Sequence, residues 1–239
     1  MSGHSHFKTV AATKNANDAK KGKIFSKMGR LITIAVKERG PDITSNIQLK
    51  AIIERAKEFN MPKENIERAI KKGTGELAGE ALEEISFEGF GPGGITLIID
   101  GITDNKNRTL GDIKGILSQH NGKLAGEGAV RWMFERKGLI SVDGQGKPKE
   151  ELELAIIEAG ADDVRSNNNV IEVYTKPEDL EQVKKTLEEK GLKVEGASLG
   201  WFAKEEMSLD QKDKEKAQKL FEALDENDAI QDIYSNLKI

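Results

Sequence analysis

Near residue 76 the apolar period of this chain changes, and the change dictates the order of its elements. Before it, apolar residues recur at helical spacing; after it, short alternating or continuous apolar runs are separated by glycine- and asparagine-rich turns. From Asn17 to Arg39, at 100° per residue, Ile24, Phe25, Met28, Leu31, Ile32, Ala35 and Val36 share an arc of roughly 140°. Gly40-Pro41 ends that helix. A second amphipathic helix runs from Asn46 to Phe59, with Leu49, Ile52, Ile53, Ala56 and Phe59 inward. Pro62 opens a third through Ile66, Ala69 and Ile70, which Gly73 is expected to stop.

Beyond a Gly73–Gly79 linker, Glu84–Glu88 and Gly94–Gly101 read as strands joined by a Gly89–Gly93 turn. Thr109–His120 reads as a helix and Ala129–Phe134 as extended chain. The next stretch reads strand (139–142), helix (149–159), strands (163–166 and 170–175), helix (177–190) and strand (193–202). That βαββαβ order is the ferredoxin-like unit. The preceding ββαβ piece lacks a helix and a strand, and the tail offers both, a helix over 208–224 and a strand over 230–235. The expected fold is therefore α+β: an N-terminal three-helix domain plus two α/β lobes, one a ferredoxin-like unit inserted into the other. The expected domains are 1–76, a discontinuous 77–135 with 204–239, and the inserted 136–203.

Charge follows the same division. Residues 1–75 hold 16 Lys/Arg against 7 Asp/Glu, and the rest holds 21 against 34, which leaves the chain at −4. Such a split aims one module at a polyanion while the remainder repels it. No run of about eighteen apolar residues points to a membrane, and nothing at the start resembles a secretion signal, so the cytoplasm is the expected location. Zero cysteines exclude disulfides and thiol chemistry. Nucleic acid is the expected partner, with no membrane, cofactor or small-molecule substrate.

The candidate binding residues are cationic. Lys20, Lys23, Lys27, Arg30 and Lys37 lie in an arc of roughly 100° beside the apolar face of the first helix. From this helix Lys20, Lys21, Lys23, Lys27 and Arg30 are the expected phosphate contacts. Lys63, Arg68, Lys71 and Lys72 form a second cluster. Lys106 and Arg108, at the start of a helix whose free N–H groups suit an anion, form a third. Helix faces of this kind are often merely solvated, but three consecutive basic helices argue otherwise. Capping alone explains much of the Thr103–Thr109 stretch, in which Thr109-x-x-Asp112 resembles a capping box.

Other motifs point elsewhere or nowhere. Gly89, Gly91 and Gly94 match G-x-G-x-x-G but lead into a strand rather than a helix, so a hairpin is expected instead of a dinucleotide site. Gly144-Gln145-Gly146-Lys147 lacks phosphate-loop spacing, and Pro148 stands where Ser or Thr would bind magnesium. His120 reads as a helix-end residue. Removal of Met1 would leave Ser2-Gly3-His4, whose amine, amides and imidazole can hold copper or nickel in a plane; a plain tail is the preferred reading, and no metal site is expected.

Several segments together resemble the YebC/PmpR family, whose mitochondrial relative is the translational activator of cytochrome c oxidase. They are Gly3-His4-Ser5, Asp18–Lys27, Asn60–Gly73, Glu88–Gly94, Thr103–Thr109 and Trp132–Gly138. The resemblance covers almost the whole chain and implies a helical domain with two α/β lobes, no enzymatic activity, and DNA-binding transcriptional regulation. For some members it implies a ribosome-associated translation factor. The departure is near the start, where Phe7 replaces a tryptophan and Val10-Ala11-Ala12-Thr13-Lys14 replaces most of a basic cluster. Each missing phosphate contact lowers the salt slope of binding by about one, which shifts load to the first helix. The expected function is thus a non-enzymatic nucleic-acid-binding regulator of gene expression, by resemblance a DNA-binding transcriptional regulator. The alternatives are a ribosomal-RNA-associated translational activator and a protein–protein adaptor.

Overall fold

The computed structural model describes residues 18–79, 81–144, 148–167 and 170–238. The Ser2-Gly3-His4 metal motif, the Phe7–Lys14 departure, the side chain of Lys20, most of the Gly144–Lys147 loop and the Asn167–Asn169 turn lie outside the residues so described.

Contacts divide the chain into two units, residues 18–129 with Leu209–Ile233, and Val130–Ser208 with 234–238. The first begins with α1 (Asp18–Arg39), α2 (Ile47–Glu58) and α3 (Lys63–Thr74). Met28, Ile32, Ala35 and Val36 of α1 pack on Leu49, Ala56, Met61, Ile66 and Ala69, as the apolar arcs require. Asn46 joins two of these helices. Its buried amide donates to the carbonyls of Ala35 and Gly40, both at 2.8 Å, while its Oδ1 accepts from Leu49 N–H at 3.0 Å and caps α2.

Gly73 does not stop α3, which continues to Thr74 and ends at Gly75 in the left-handed conformation. It is instead a point of close approach: a Cβ there would lie 2.6 Å from Val36 Cβ and 2.8 Å from the Thr33 carbonyl oxygen.

The same unit contains a sheet of order β3-β1-β2-β8. Its hairpin is β1 (Glu83–Phe90) and β2 (Thr96–Thr103), in antiparallel register from Glu83↔Thr103 to Phe90↔Thr96. Pro92–Gly94 forms a 3-10 turn with Gly93 and Gly94 at positive φ, so the G-x-G-x-x-G match is a hairpin. Then come α4 (Lys106–Gln119) and β3 (Lys123–Ala125). The extended stretch expected at Ala129–Phe134 is not the third strand; Lys123–Ala125 pairs with β1 in that role. Arg131–Met133 is a 3-10 turn, and Phe134 opens β4 because β4 pairs onward as far as Phe134↔Ala203. His120 takes the C-cap position of α4. The sheet is completed by α7 (Gln211–Asp225) and β8 (Ile230–Ser235). Between them α4 and α7 bury Thr109, Ile113, Leu117, Ala217, Leu220, Phe221 and Leu224.

The intervening residues build the second sheet from β4 (Phe134–Asp143), α5 (Lys149–Glu158), β5 (Asp163–Asn167), β6 (Val170–Thr175), α6 (Leu180–Glu189) and β7 (Val194–Ala203). Its order, β5-β6-β4-β7 with every recorded pairing antiparallel, is that of a ferredoxin-like unit. Ile140, Val142, Ile171 and Val173 meet Leu152 and Ile156 of α5 and Leu180, Val183 and Leu187 of α6. On the other face Leu139, Tyr174 and Phe202 cluster, the two rings edge to face at 5.1 Å. The fold is thus α+β, three helices followed by two four-stranded antiparallel sheets with helices, one unit inserted within the chain of the other. Among the described residues no helix is long and apolar enough to cross a membrane.

Candidate nucleic-acid interface

The middle of the α1 basic stripe, Lys23, Lys27 and Arg30, faces protein. Lys27 is 1% exposed; its ammonium donates to Asp225 Oδ1 at 2.7 Å and to the Asp225 carbonyl at 3.0 Å. Asp225 is the last residue of α7, so the cation also meets the negative end of that helix. One turn earlier, Lys23 pairs with Glu226. One turn later, Arg30 Nη1 donates to the Ile102 carbonyl at 2.7 Å. Lys27, expected to meet a phosphate, is here a buried ammonium with a carboxylate and a carbonyl as partners, the geometry of a fastener within the unit. Lys23 and Arg30 serve the same seam. Lys20 is on the first turn of α1, and Lys21 is exposed beside it.

The third cluster is organised around Asp104. Asn105 is the N-cap of α4, its Oδ1 accepting from Arg108 N–H at 3.0 Å. Thr109, expected to begin a capping box, lies inside the helix, with its hydroxyl 2.8 Å from that of Thr103. Arg108 pairs with Asp104 at i,i+4 spacing. Desolvation pushes the Asp104 carboxyl up, but a backbone hydrogen bond and the charges of Arg108 and Arg30 outweigh it and hold it below its ordinary value. Arg108 is thereby engaged at its own loop, whereas Lys106 is exposed.

Only the second cluster is gathered on one outward surface. Ile66, Ala69 and Gly73 turn inward on α3, and Arg68, Lys71 and Lys72, spaced i, i+3 and i+4, are exposed on the other side. Lys63, also exposed, is 3.4 Å from Glu67. Glu64 and Glu67 share this helix, so the surplus charge lies toward its C-terminal half, where the helix dipole also favours cations. Side chains of this kind make backbone contacts, which position a nucleic acid without reading its bases.

What sequence reading missed are the counterions. Asp225, Glu226 and Asp104 lie far along the chain from the cations of α1, and no local pattern pairs them.

Residues 5–76 match the family model for the TACO1/YebC protein N-terminal domain, and residues 82–237 match that for the TACO1/YebC second and third domain. The chain belongs to the TACO1/YebC family. It is 43% identical over 242 residues to a "Probable transcriptional regulatory protein" of Natranaerobius thermophilus, covering 100% of this chain and 97% of that one. It is 45% identical over 241 residues to another so named from Pelotomaculum thermopropionicum, covering 100% and 99%. The crystal structure of a conserved hypothetical protein from Aquifex aeolicus is similar, with a TM-score of 0.85 and 43% identity over 93% of this chain and 92% of that one. These relatives support a regulatory role.

Proposed function

We propose that this protein is a non-enzymatic, cytoplasmic regulator of gene expression that grips the sugar–phosphate backbone of a nucleic acid through α3. The observation that carries this reading is the exposed Arg68-Lys71-Lys72 cluster, left outward while the equally basic α1 stripe is tied to Asp225, Glu226 and the Ile102 carbonyl. Lys63, Lys21 and Lys106 are the supporting contacts, and Lys20 belongs with them by sequence.

Three phosphate contacts contribute about 3 to the slope of log affinity against log salt. Arg68→Glu, Lys71→Glu and Lys72→Glu together are expected to lower that slope by about 3 for a duplex and about 2 for a single strand. An unchanged slope would refute the reading and favour a protein adaptor.

The name of the relatives points to transcription, hence to DNA. A second reading, an RNA-bound translation factor, draws support from the outward face of α3, which mixes Arg68, Lys71 and Lys72 with Glu64 and Glu67 and is dominated by charges suited to backbone rather than base-edge contact. Crosslinking in cells, followed by sequencing of both DNA and RNA fragments, separates the two. Reads at a few promoters support the first, and reads concentrated on ribosomal RNA support the second.

A further inference from the structure

The chain has two tryptophans, and both belong to one end of the ferredoxin-like unit. Trp201 of β7 lies opposite Arg136 of β4 in the strand register. The Arg136 guanidinium carbon is 5.3 Å from the Trp201 ring centroid, and that of Arg131, from the turn before β4, is 5.4 Å away. Trp132 follows Arg131 and is 65% exposed. Lys204 holds this turn: its N–H donates to the Met133 carbonyl at 2.9 Å and its ammonium to the Trp132 carbonyl at 2.8 Å.

An indole left two-thirds in water forgoes most of the burial that makes tryptophan stabilising. Here it stands on a turn carrying two guanidinium–indole stacks and an exposed lysine. Of the nearby acids Glu135 is engaged with Lys137 at 2.7 Å and Glu206 with Arg165 at 3.1 Å, which leaves exposed Glu205 against Arg131, Arg136 and Lys204. The local charge is therefore positive and the exposed apolar surface is flat and aromatic. That combination suits unpaired bases, which stack on rings while cations meet the adjoining phosphates. Bases in a duplex are already stacked on each other and cannot do this.

We propose that Trp132, with Arg131, Arg136, Trp201 and Lys204, is a stacking platform for a single-stranded stretch of nucleic acid. The proposal rests on the reading that the protein binds nucleic acid, and adds a second contact region and the state of the strand it takes.

The test uses the full chain, a twelve-nucleotide oligouridylate, the same length of oligothymidylate, and a blunt RNA duplex. Indole emission reports the platform directly, since no tryptophan lies elsewhere. The expected result is quenching by the single strands and little change with duplex. Trp132→Ala should weaken single-strand binding about tenfold and leave duplex affinity and salt slope unchanged, and Trp132→Phe should recover most of the loss. Single-strand binding with unchanged emission and an inert Trp132→Ala variant overturns the platform, as does equal quenching by polyglutamate, which would mark an acidic protein partner. The α3 triple variant separates the two readings. If it loses salt slope while Trp132→Ala is inert, the platform falls and the backbone reading stands. If it keeps full affinity while Trp132→Ala loses single strands, the reverse holds. No binding by the wild type to any strand removes both.

Discussion

A lysine ammonium withdrawn from water must regain the hydrogen bonds it gives up, and Lys27 takes two from a single residue, Asp225. Truncating one partner of such a pair costs more than replacing it with an apolar side chain of similar length. Lys27→Ala is expected to lower stability by about 2 kcal/mol, below the usual range for buried pairs because Asp225 retains some exposure. Lys27→Met should cost less than about 1 kcal/mol, and Lys71→Ala on the open face of α3 less than about 0.5 kcal/mol. Urea unfolding midpoints check the order. Asp104 gives a pH dependence of definite sign. Its carboxyl is held below the ordinary value by its backbone hydrogen bond, Arg108 and Arg30, against the pull of desolvation. A depressed carboxylate contributes stability that is present above its unfolded value and lost as pH falls through its folded one. Asp104→Asn should therefore remove that stability at neutral pH, leave strongly acid pH less affected and so flatten the acid limb of the stability profile, and a carboxyl NMR titration would locate the folded value directly.

At the level of elements, the helical lobe was legible because its apolar arcs are continuous: Met28, Ile32, Ala35, Val36, Leu49 and Ala56 are where periodicity puts them. What periodicity misread was Gly73. Glycine near a helix end is ordinarily a stop signal, yet this one admits the backbone of α3 against Val36 and Thr33. Gly73→Ala gains about 1 kcal/mol of helix propensity but must push a Cβ into backbone and a branched side chain. A net loss of about 1–2 kcal/mol is expected. Gly111→Ala, inside α4 with nothing within 4 Å of the new Cβ, should instead raise stability by about 0.5–1 kcal/mol. Thermal melts of the two variants should move in opposite directions. The third strand is not legible locally because Lys123-Leu124-Ala125 is short and carries no β-branched residue; its pairing partner is β1, from which β2 and α4 separate it in sequence. The basic stripe of α1 is legible as a stripe, but charge alone does not say whether the partner of a cation such as Lys27 is a phosphate or a distant carboxylate such as Asp225.

Over the whole molecule, the insertion was legible as missing parts: a ββαβ piece one helix and one strand short, and a tail that supplies both as α7 and β8. That interruption sets an order of events during synthesis. The ferredoxin-like sheet is contiguous from Phe134 to Ala203 and can close as soon as β7 leaves the ribosome. The first sheet must wait for β8, although its hairpin was made earlier. Proteolysis of chains stalled at successive lengths is expected to show the inserted unit protected first, with β1 and β2 cut until α7 and β8 emerge. Through that interval α1 waits without the acidic residue that will hold Lys27, which is made 198 positions later. A newborn chain of this kind therefore meets the RNA of its own ribosome with a lysine bared that the finished protein keeps buried.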